Sequence, residues 1–412
     1  MPDTAPRPQT IDPATDLDLV DQFSRFFAAA PGRLHLAAHS HHYWPDVVWD
    51  AQAEVVADAA RYADTKWGPI LSDVMVAVQS GIAAILNLPN PRSLVFAPNT
   101  HEFLKRILSC LPQDRPVRIL STDSEFHTFS RQTARWAEDG TVDLTLIPTE
   151  PFDSFIDRFK AAAQAGHQGT GATFDLVWVS QVFFNSGYAI DDLDGLVAAV
   201  PDASTFVVID GYHGFMARPT DLSAVASRVF YTSGGYKYAM AGEGVCFLHV
   251  PDGYGLRPCD TGWYAAFGAL SDRQAGTVPY AEDGWRFMGA TFDPSGLYRQ
   301  RAVLRWLSAQ GLTVSAIHTH VTTLQRGFAM ALDRFDLDGL RVSDLLVDLD
   351  QFSHGNFLTY RSAHAARLHD RLMAAEIITD VRADRLRFGF GIYHRAQDIP
   401  AMAARVARAA TE

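Results

Sequence analysis

Residues 205–214 read TFVVIDGYHG and residues 228–244 read RVFYTSGGYKYAMAGEG, and these two stretches decide the fold. Each opens with a short β-branched and aromatic run. The first ends on Asp210 and the second on Gly234-Gly235-Tyr236-Lys237. Runs of this length and composition read as strands buried on both faces. Five more accompany them: SLVFAP (93–98), VRILST (117–122), DLTLIP (143–148), DLVWVSQV (175–182) and GVCFLHV (244–250). Amphipathic stretches lie between, among them HEFLKRILSCL, FDSFIDRFKAAAQAG and LDGLVAAV. Strands alternating with helices predict an α/β chain with a mostly parallel seven-stranded sheet flanked by helices. Ligands of such sheets sit beyond the carboxyl ends of the strands. Three polar clusters fall there: Asn99-Thr100, Asp210 and the segment ending in Lys237. They predict one shared site.

Upstream, PDVVWDAQAEVVADAARYA and SDVMVAVQSGIAAILNL carry apolar residues at three- and four-residue intervals, the mark of two helices between about residues 46 and 88. Residues 251–295 are rich in Gly, Pro and aromatics and read as a long loop region over the sheet. One long helix is expected over about 296–334. LRVSDLL, HGNFLTYR, ARLHDRLMAAEI, RLRFGFGIY and IPAMAARVARAA then suggest a small α+β domain closing on a helix. The expected organisation is an N-terminal segment (1–75) packing on the small domain, a large α/β domain (76–300) and a small C-terminal α+β domain (301–412).

With 412 residues, 48% hydrophobic and 20% charged, the chain has the composition of a globular protein of more than one packed unit. Its formal net charge of −12 argues against a nucleic-acid or anionic-membrane partner. The first sixteen residues, MPDTAPRPQTIDPATD, lack a basic region followed by an apolar stretch, so no signal peptide is expected. No run approaches the roughly 18 apolar residues of a membrane span. Cys110, Cys246 and Cys259 show no metal-ligand spacing and cannot all be paired within the chain, which favours a cytoplasmic location.

Asp210, delivered by an apolar strand, is placed to face a buried cation, although an acid there is more often a cap or loop residue. Lys237 lies among tyrosines and glycines with little room for a solvated ammonium. A lysine so placed has its pKa lowered and becomes an amine nucleophile, whereas a surface lysine is the plainer reading. Taken together the two motifs are far more specific. A strand ending in Asp-x-x-His, then a strand running into Ser-x-x-Tyr-Lys and a Gly-rich segment, resembles the fold-type I pyridoxal-phosphate enzymes of the class V aminotransferase group. The resemblance implies pyridoxal 5'-phosphate as cofactor, held by its aldehyde on Lys237. Asp210 would keep the pyridine nitrogen protonated, and His213 would hydrogen-bond the phenolic oxygen.

Within that group the sequence is similar to kynureninase over most of its length. SGGYKYAMAGEG looks like the kynureninase lysine segment, implying that Tyr236 contacts the phosphate. STDSEFHTFSRQ (121–132) is similar to the region whose Phe stacks on the cofactor ring. That implicates Phe126, with His127 as the alternative platform and core packing as the competing role. VFFNSGYAIDDL (182–193) resembles the family's strand and turn before a short acidic helix. TGWY (261–264) resembles a Gly-Trp segment that brings Trp263 to the phosphate. Asn99 and Thr100 precede a helix and can hold a phosphate at its N-terminus, the plainer role being simple capping of the helix by Thr100. RLRFGFGIYHRAQDI (385–399) resembles the family's C-terminal segment, implying that Arg387 grips the substrate carboxylate through two parallel hydrogen bonds. Arg385 shares its strand face and competes for the role.

The sequence departs from the kynureninase pattern at His39-Ser40-His41-His42, around DTKWGPILSD and at RFMGATFDPSG, all segments that shape the substrate side. No metal site is expected from the histidines, since no acid at ligand spacing accompanies them. His41 and His42 are instead candidates for substrate contact. Three functions compete: a kynureninase-like hydrolase cleaving a Cβ–Cγ bond of an amino acid; another class V activity such as transamination, lyase chemistry or sulfur transfer; and a cofactor-binding homologue without turnover. Sulfur transfer needs a mobile cysteine in the C-terminal part, and no cysteine follows Cys259. The resemblance also implies a homodimer.

Overall fold

A computed structural model describes residues 17–269 and 276–411. The first sixteen residues, whose reading bore on a signal peptide, lie outside the described part. In chain order the first elements are helix α1 (Ser24–Ala29), strand β1 (Leu34–His35), helices α2 (Val47–Tyr62), α3 (Trp67–Pro69) and α4 (Met75–Leu86), and strand β2 (Leu94–Ala97). Then come α5 (Thr100–Leu108), β3 (Val117–Thr122), α6 (His127–Glu138), β4 (Val142–Ile147), α7 (Phe152–Ala165), β5 (Leu176–Ser180) and α8 (Leu193–Ala198). Strands β6 (Phe206–Asp210), β7 (Val229–Gly234) and β8 (Cys246–His249) complete the sheet. Beyond a region whose described residues form short 3-10 turns lie α9 (Ser295–Ala309), α10 (Val314–Asp333), β9 (Phe357–Arg361), α11 (Ala365–Ala374), β10 (Ile377–Ile378), β11 (Asp380–Arg382), β12 (Arg385–Gly389) and α12 (Ile399–Thr411).

The central sheet has seven strands in the order β2-β8-β7-β6-β5-β3-β4. The pairs from β7 through β4 are parallel, and β8 runs antiparallel to both of its neighbours. All seven expected strands are present, with ends moved by a residue or two. Alternate residues of one strand serve opposite cores: Val177 and Val179 of β5 join one cluster, Leu176 and Trp178 the other. That is how a period of two buries both faces of a parallel sheet.

The expected helix over 296–334 is two helices. Gly311 takes a left-handed φ of +66°, which glycine adopts without penalty, and the Thr313 side chain accepts from the Ala316 N–H to start α10. A turn signal inside one continuous amphipathic pattern had been outweighed by the period. Helices α2 and α4 lie within a 40-residue helical stretch, Val47–Leu86, that by length and composition alone is apolar enough to cross a membrane. In this fold α2 and α4 pack on α9, as core helices do.

The N-terminal segment is bound to the C-terminal part of the chain. β1 pairs in parallel with β10, and a bridge joins Ala37 to Gly389. Just beyond, a nest of aromatic and histidine rings is buried. His35 stacks on Tyr43 at 4.3 Å, and its Nδ1 lies 2.6 Å from the Tyr393 hydroxyl. His42 meets Tyr393 edge-on, and His394 accepts the Gly391 N–H. Burial lowers all three histidines, His42 to about 4 and His394 to about 3, and charge on His42 would lower His394 further.

These rings stay neutral in the folded chain at pH values where an unfolded histidine, with a pKa of about 6.5, takes up a proton. Stability is therefore full above that value and is lost progressively as pH falls below it. The melting temperature should drop between pH 7 and pH 5, and His42→Gln, which removes one of these sites, should make the drop shallower. A wild-type melting temperature that stays flat across that interval would show that the nest is not protonated on unfolding.

Candidate functional site

A cavity of ≈ 280 Å³ opens at the carboxyl ends of the sheet strands, where the polar clusters converge. Its lining includes Asn99, Thr100, Phe126, Asp210, His213, Tyr236 and Lys237, seven residues singled out from the sequence. Asn99 caps α5, its Oδ1 accepting the Glu102 N–H at 3.1 Å, so the cap is Asn99 rather than Thr100. Asp210 ends β6, and its Oδ1 accepts the Tyr212 N–H at 2.9 Å. Phe126 stands at the start of α6, edge-on to Phe184 at 5.3 Å, whereas His127 is exposed and away from the cavity.

Lys237 is only 5% exposed. Its Nζ lies 2.6 Å from His213 Nε2 and over the rings of Tyr212, Phe126 and Tyr236 at 4.8, 5.2 and 5.8 Å. Burial lowers its pKa to about 7, against the pull of Asp210 upward. An amine so placed is substantially neutral near pH 7, which is the nucleophilic form. Burial also lowers His213, and Lys237 adds to that, so the imidazole is neutral and accepts from the amine. The Asp210 carboxyl is raised by burial, while the Tyr212 N–H and Lys237 act in the opposite direction.

The remaining expected residues divide. Arg387 is buried behind the cavity without lining it, its guanidinium between the Phe184 ring, which does line it, and the Phe357 ring; it donates to the Phe184 carbonyl and pairs with Asp380. Arg385 points elsewhere, onto Glu150 at 2.8 Å and the Asn185 carbonyl. Trp263, 44% exposed, stacks on Tyr264 and does not line the cavity of its own chain. His41 lies at the mouth, stacked on Tyr236 at 5.1 Å with Nε2 3.7 Å from Glu243. His42 corrects the expectation. It is buried in the ring nest, its Nδ1 2.6 Å from the Tyr43 carbonyl oxygen, and it does not line the cavity.

Within the 39–42 segment, the histidine beside Asp380, the partner of Arg387, is His39, which the sequence gave no reason to prefer. It is fully buried, stacked on Phe357 at 4.7 Å, with Nε2 3.8 Å from Asp380 Oδ2. Burial lowers it, and the charges of Arg387 and Lys237 add to that, so it is neutral. Alternation along the segment favoured no single histidine. Tyr212, Ser180, Phe184, Glu243 and Cys246 also line the cavity and were not chosen. Tyr212 lay inside the quoted Asp-x-x-His motif, and Ser180 fell inside the expected strand 175–182, two residues before its end.

A family model described as Aminotransferase class-V matches residues 70–401. A curated cysteine desulfurase of Pectobacterium atrosepticum is 22% identical over 246 residues. That match covers 58% of this chain and a little over half, 57%, of the relative. Among solved structures, an apo cysteine desulfurase from Thermococcus onnurineus NA1 superposes with a TM-score of 0.74 at 16% identity, covering 91% of this chain and 94% of that one. The cystine C-S lyase C-DES, solved with its product cysteine persulfide, gives 0.72 at 17% identity, covering 92% and 99%. A mutant of the same lyase carries glycine linked to its PLP cofactor. At such identities the structural likeness shows the fold, a fold-type I pyridoxal-phosphate architecture.

The cavity fits pyridoxal 5'-phosphate on its own chemistry. It offers one buried amine for an aldehyde, one buried carboxyl for a cationic ring nitrogen, and a neutral histidine whose Nδ1 has no hydrogen-bond partner. The N-terminus of α5 supplies N–H groups for a phosphate. Borohydride reduction of the protein reconstituted with the cofactor, followed by peptide mapping, should place the pyridoxyl group on Lys237. A label on Lys66, Lys105 or Lys160, the only other lysines, would mean the amine has been misassigned.

Proposed function

The chain belongs to the class-V aminotransferase family, and from that premise we propose that it is a pyridoxal-phosphate enzyme cleaving the Cβ–Cγ bond of an α-amino acid with a γ-carbonyl, a kynureninase-like hydrolase. The observation that carries the choice over sulfur transfer is the placement of cysteine. Cys246, the cysteine at the cavity, is fixed in β8, with Sγ 3.4 Å from the Tyr212 hydroxyl, and burial pushes its thiol up to about 12. A strand-bound, protonated thiol is a poor sulfur acceptor, and no cysteine follows Cys259. The tyrosine before Lys237 at the cavity wall supports the kynureninase-like reading.

The cofactor, when bound, supplies an electron sink for the substrate's α-carbon. The protein's own groups do the rest. Asn99, Thr100 and Tyr236 would hold the phosphate, Phe126 would face the ring, and Asp210 would keep the ring nitrogen charged. Lys237, neutral near pH 7, would take up and return the proton at the α-carbon, with His213 holding the amine in place. Arg387 would bind the α-carboxylate and so fix which bond at the α- and β-carbons is aligned for reaction.

A second reading, a lyase acting on a C–S bond, is favoured by the names of the relatives, and it needs no mobile cysteine if the sulfur leaves with the product. The two separate on products. Incubation with kynurenine should release alanine and an aromatic acid, while cystine should release no sulfide or persulfide. The reverse result would establish the lyase. A transaminase would consume a keto acid in step with either amino acid.

Arg387→Lys keeps the charge but not the planar fork. Losing a charged partner in a desolvated pocket costs roughly 2–5 kcal/mol, so kcat/KM should fall by about 30-fold or more. The absorbance of the bound cofactor should stay unchanged. Near wild-type turnover in Arg387→Lys, with loss in Arg385→Lys, would transfer the role to Arg385.

The protein is proposed to be a cytoplasmic homodimer. Trp263, Phe267 and Val278 are exposed on the 251–295 region, a patch easier to bury against a second copy than to leave in water. Sedimentation should give a dimer at micromolar concentration. A monomer with full cofactor occupancy would refute it.

A further inference from the structure

Glu125 immediately precedes Phe126 and is 3% exposed. Its Oε1 accepts from the Thr122 hydroxyl at 2.8 Å and from the Ser180 N–H at 3.1 Å, and its Oε2 lies 2.5 Å from Ser180 Oγ. Thr122 ends β3 and Ser180 ends β5. Ser180 is in register with Asp210 on β6, and Ser180, Phe126 and Asp210 all line the cavity. One carboxyl therefore connects the turn that carries Phe126 to the strand tip beside Asp210. Asp123 and Ser124 of the same turn bond Thr149 after β4, and Ser124 Oγ accepts from Asn185 in the segment after β5, a second and less buried tie to that side.

We propose that Glu125 is a positioning residue for the cofactor, locking the 122–126 turn to the tip of β5 so that the Phe126 wall and the Asp210 wall are held at a fixed separation. A flat ring bound between two walls is sensitive to their spacing, because dispersion contacts fade steeply with a gap of half an ångström to one ångström. An aliphatic residue would fill the space at position 125 but make none of these bonds.

The acid acts in its neutral form. Burial raises Glu125 to about 8, the bonds from Ser180 and Thr122 oppose that, and the nearby charge of Asp210 raises it further. Two adjacent carboxyls in one dry pocket do not both ionise readily. Asp210 is then the single anion against the cofactor. Ser180 Oγ donates its hydrogen to Glu125 Oε2, so the serine is held by the acid. A glutamine keeps the link: its oxygen accepts the two bonds made to Oε1, and its amide nitrogen donates to Ser180 Oγ once that hydroxyl turns.

The inference rests on the cofactor occupying this cavity, which the Lys237 labelling tests separately. Apo-protein titrated with pyridoxal phosphate gives the dissociation constant, and the induced circular dichroism of the bound cofactor reports how firmly its ring is held. Glu125→Ala should weaken binding about tenfold or more, the scale of a lost buried hydrogen-bond network, and reduce ellipticity per bound cofactor. Glu125→Gln should stay within about threefold of wild type with its ellipticity intact. Should Glu125→Ala not fold, Thr122→Val, which removes the bond to Glu125 and the one accepted from the Ser124 N–H, should still lower the ellipticity. Wild-type binding and ellipticity in Glu125→Ala, or in Thr122→Val where the alanine variant does not fold, would overturn the proposal. So would equal losses in the alanine and glutamine variants, because the charge and not the link would then be what matters.

Discussion

A lysine amine taken out of water and set against a neutral histidine is the constraint around which the site is organised. Lys237 has no strong ion pair. Its nearest polar atom is a histidine nitrogen, its other neighbours are three aromatic rings, and Asp210 acts on it from a distance. Desolvation without close compensation favours the uncharged form. The same burial bears on Asp210 and His213, but with different consequences. The histidine is left neutral and able to accept from the amine, and the acid is left needing a cationic partner. A parallel sheet places such groups together because its strand tips converge on one edge, and it keeps them dry because both faces are covered.

Four parts of the chain meet beside this pocket, two of their junctions being close backbone approaches at glycines. The N-terminal segment lies on β12, where a Cβ at Gly389 would come within 2.1 Å of His39 Nδ1. The same segment donates the His42 N–H to the Tyr236 carbonyl, next to Lys237. Gly242, at φ +71°, lets the loop after Lys237 lie against Trp44. Arg299 of α9 then binds the Ala241 and Glu243 carbonyls of that loop and stacks over Trp44. The substrate side thus depends on residues from sequence regions near 40, 240, 299 and 389, which is why no single motif revealed it.

The sheet and the cofactor side were legible because their information is local. A strand announces itself by composition, and the residue at its tip inherits a position from the topology. The tips of three expected strands put Asn99, Asp210 and Lys237 in one site. What depends on the pairing of distant segments was not legible. His39, His41 and His42 are indistinguishable by sequence, yet one is beside Arg387, one stands at the mouth and one is in a hydrophobic ring nest. Glu125 carries no signal in the sequence that separates it from a solvated loop acid; the bond from Ser180 of β5 is what makes it a buried link. Gly311 was present as a breaker signal, but a strong helical period on both sides masked it.

The choice between Arg385 and Arg387 illustrates how a pairing decides what a periodicity leaves open. Both lie on one face of β12, so alternation cannot separate them. Across the strand, Arg387 is in register with Asp380 and Arg385 with Arg382. Asp380 therefore reaches Arg387 directly, with Arg382 on its other oxygen and His39 alongside. The Phe184 carbonyl takes a second guanidinium N–H, and the Phe184 and Phe357 rings flank the plane. These contacts fix the fork without exhausting it: Nε is buried without a hydrogen-bond partner. A guanidinium held in this way loses little further freedom on accepting a carboxylate, and Asp380 offsets the cost of keeping its charge dry. Arg385, by contrast, has its charge answered by Glu150 toward the outside of the fold, where a carboxylate would have to compete with water.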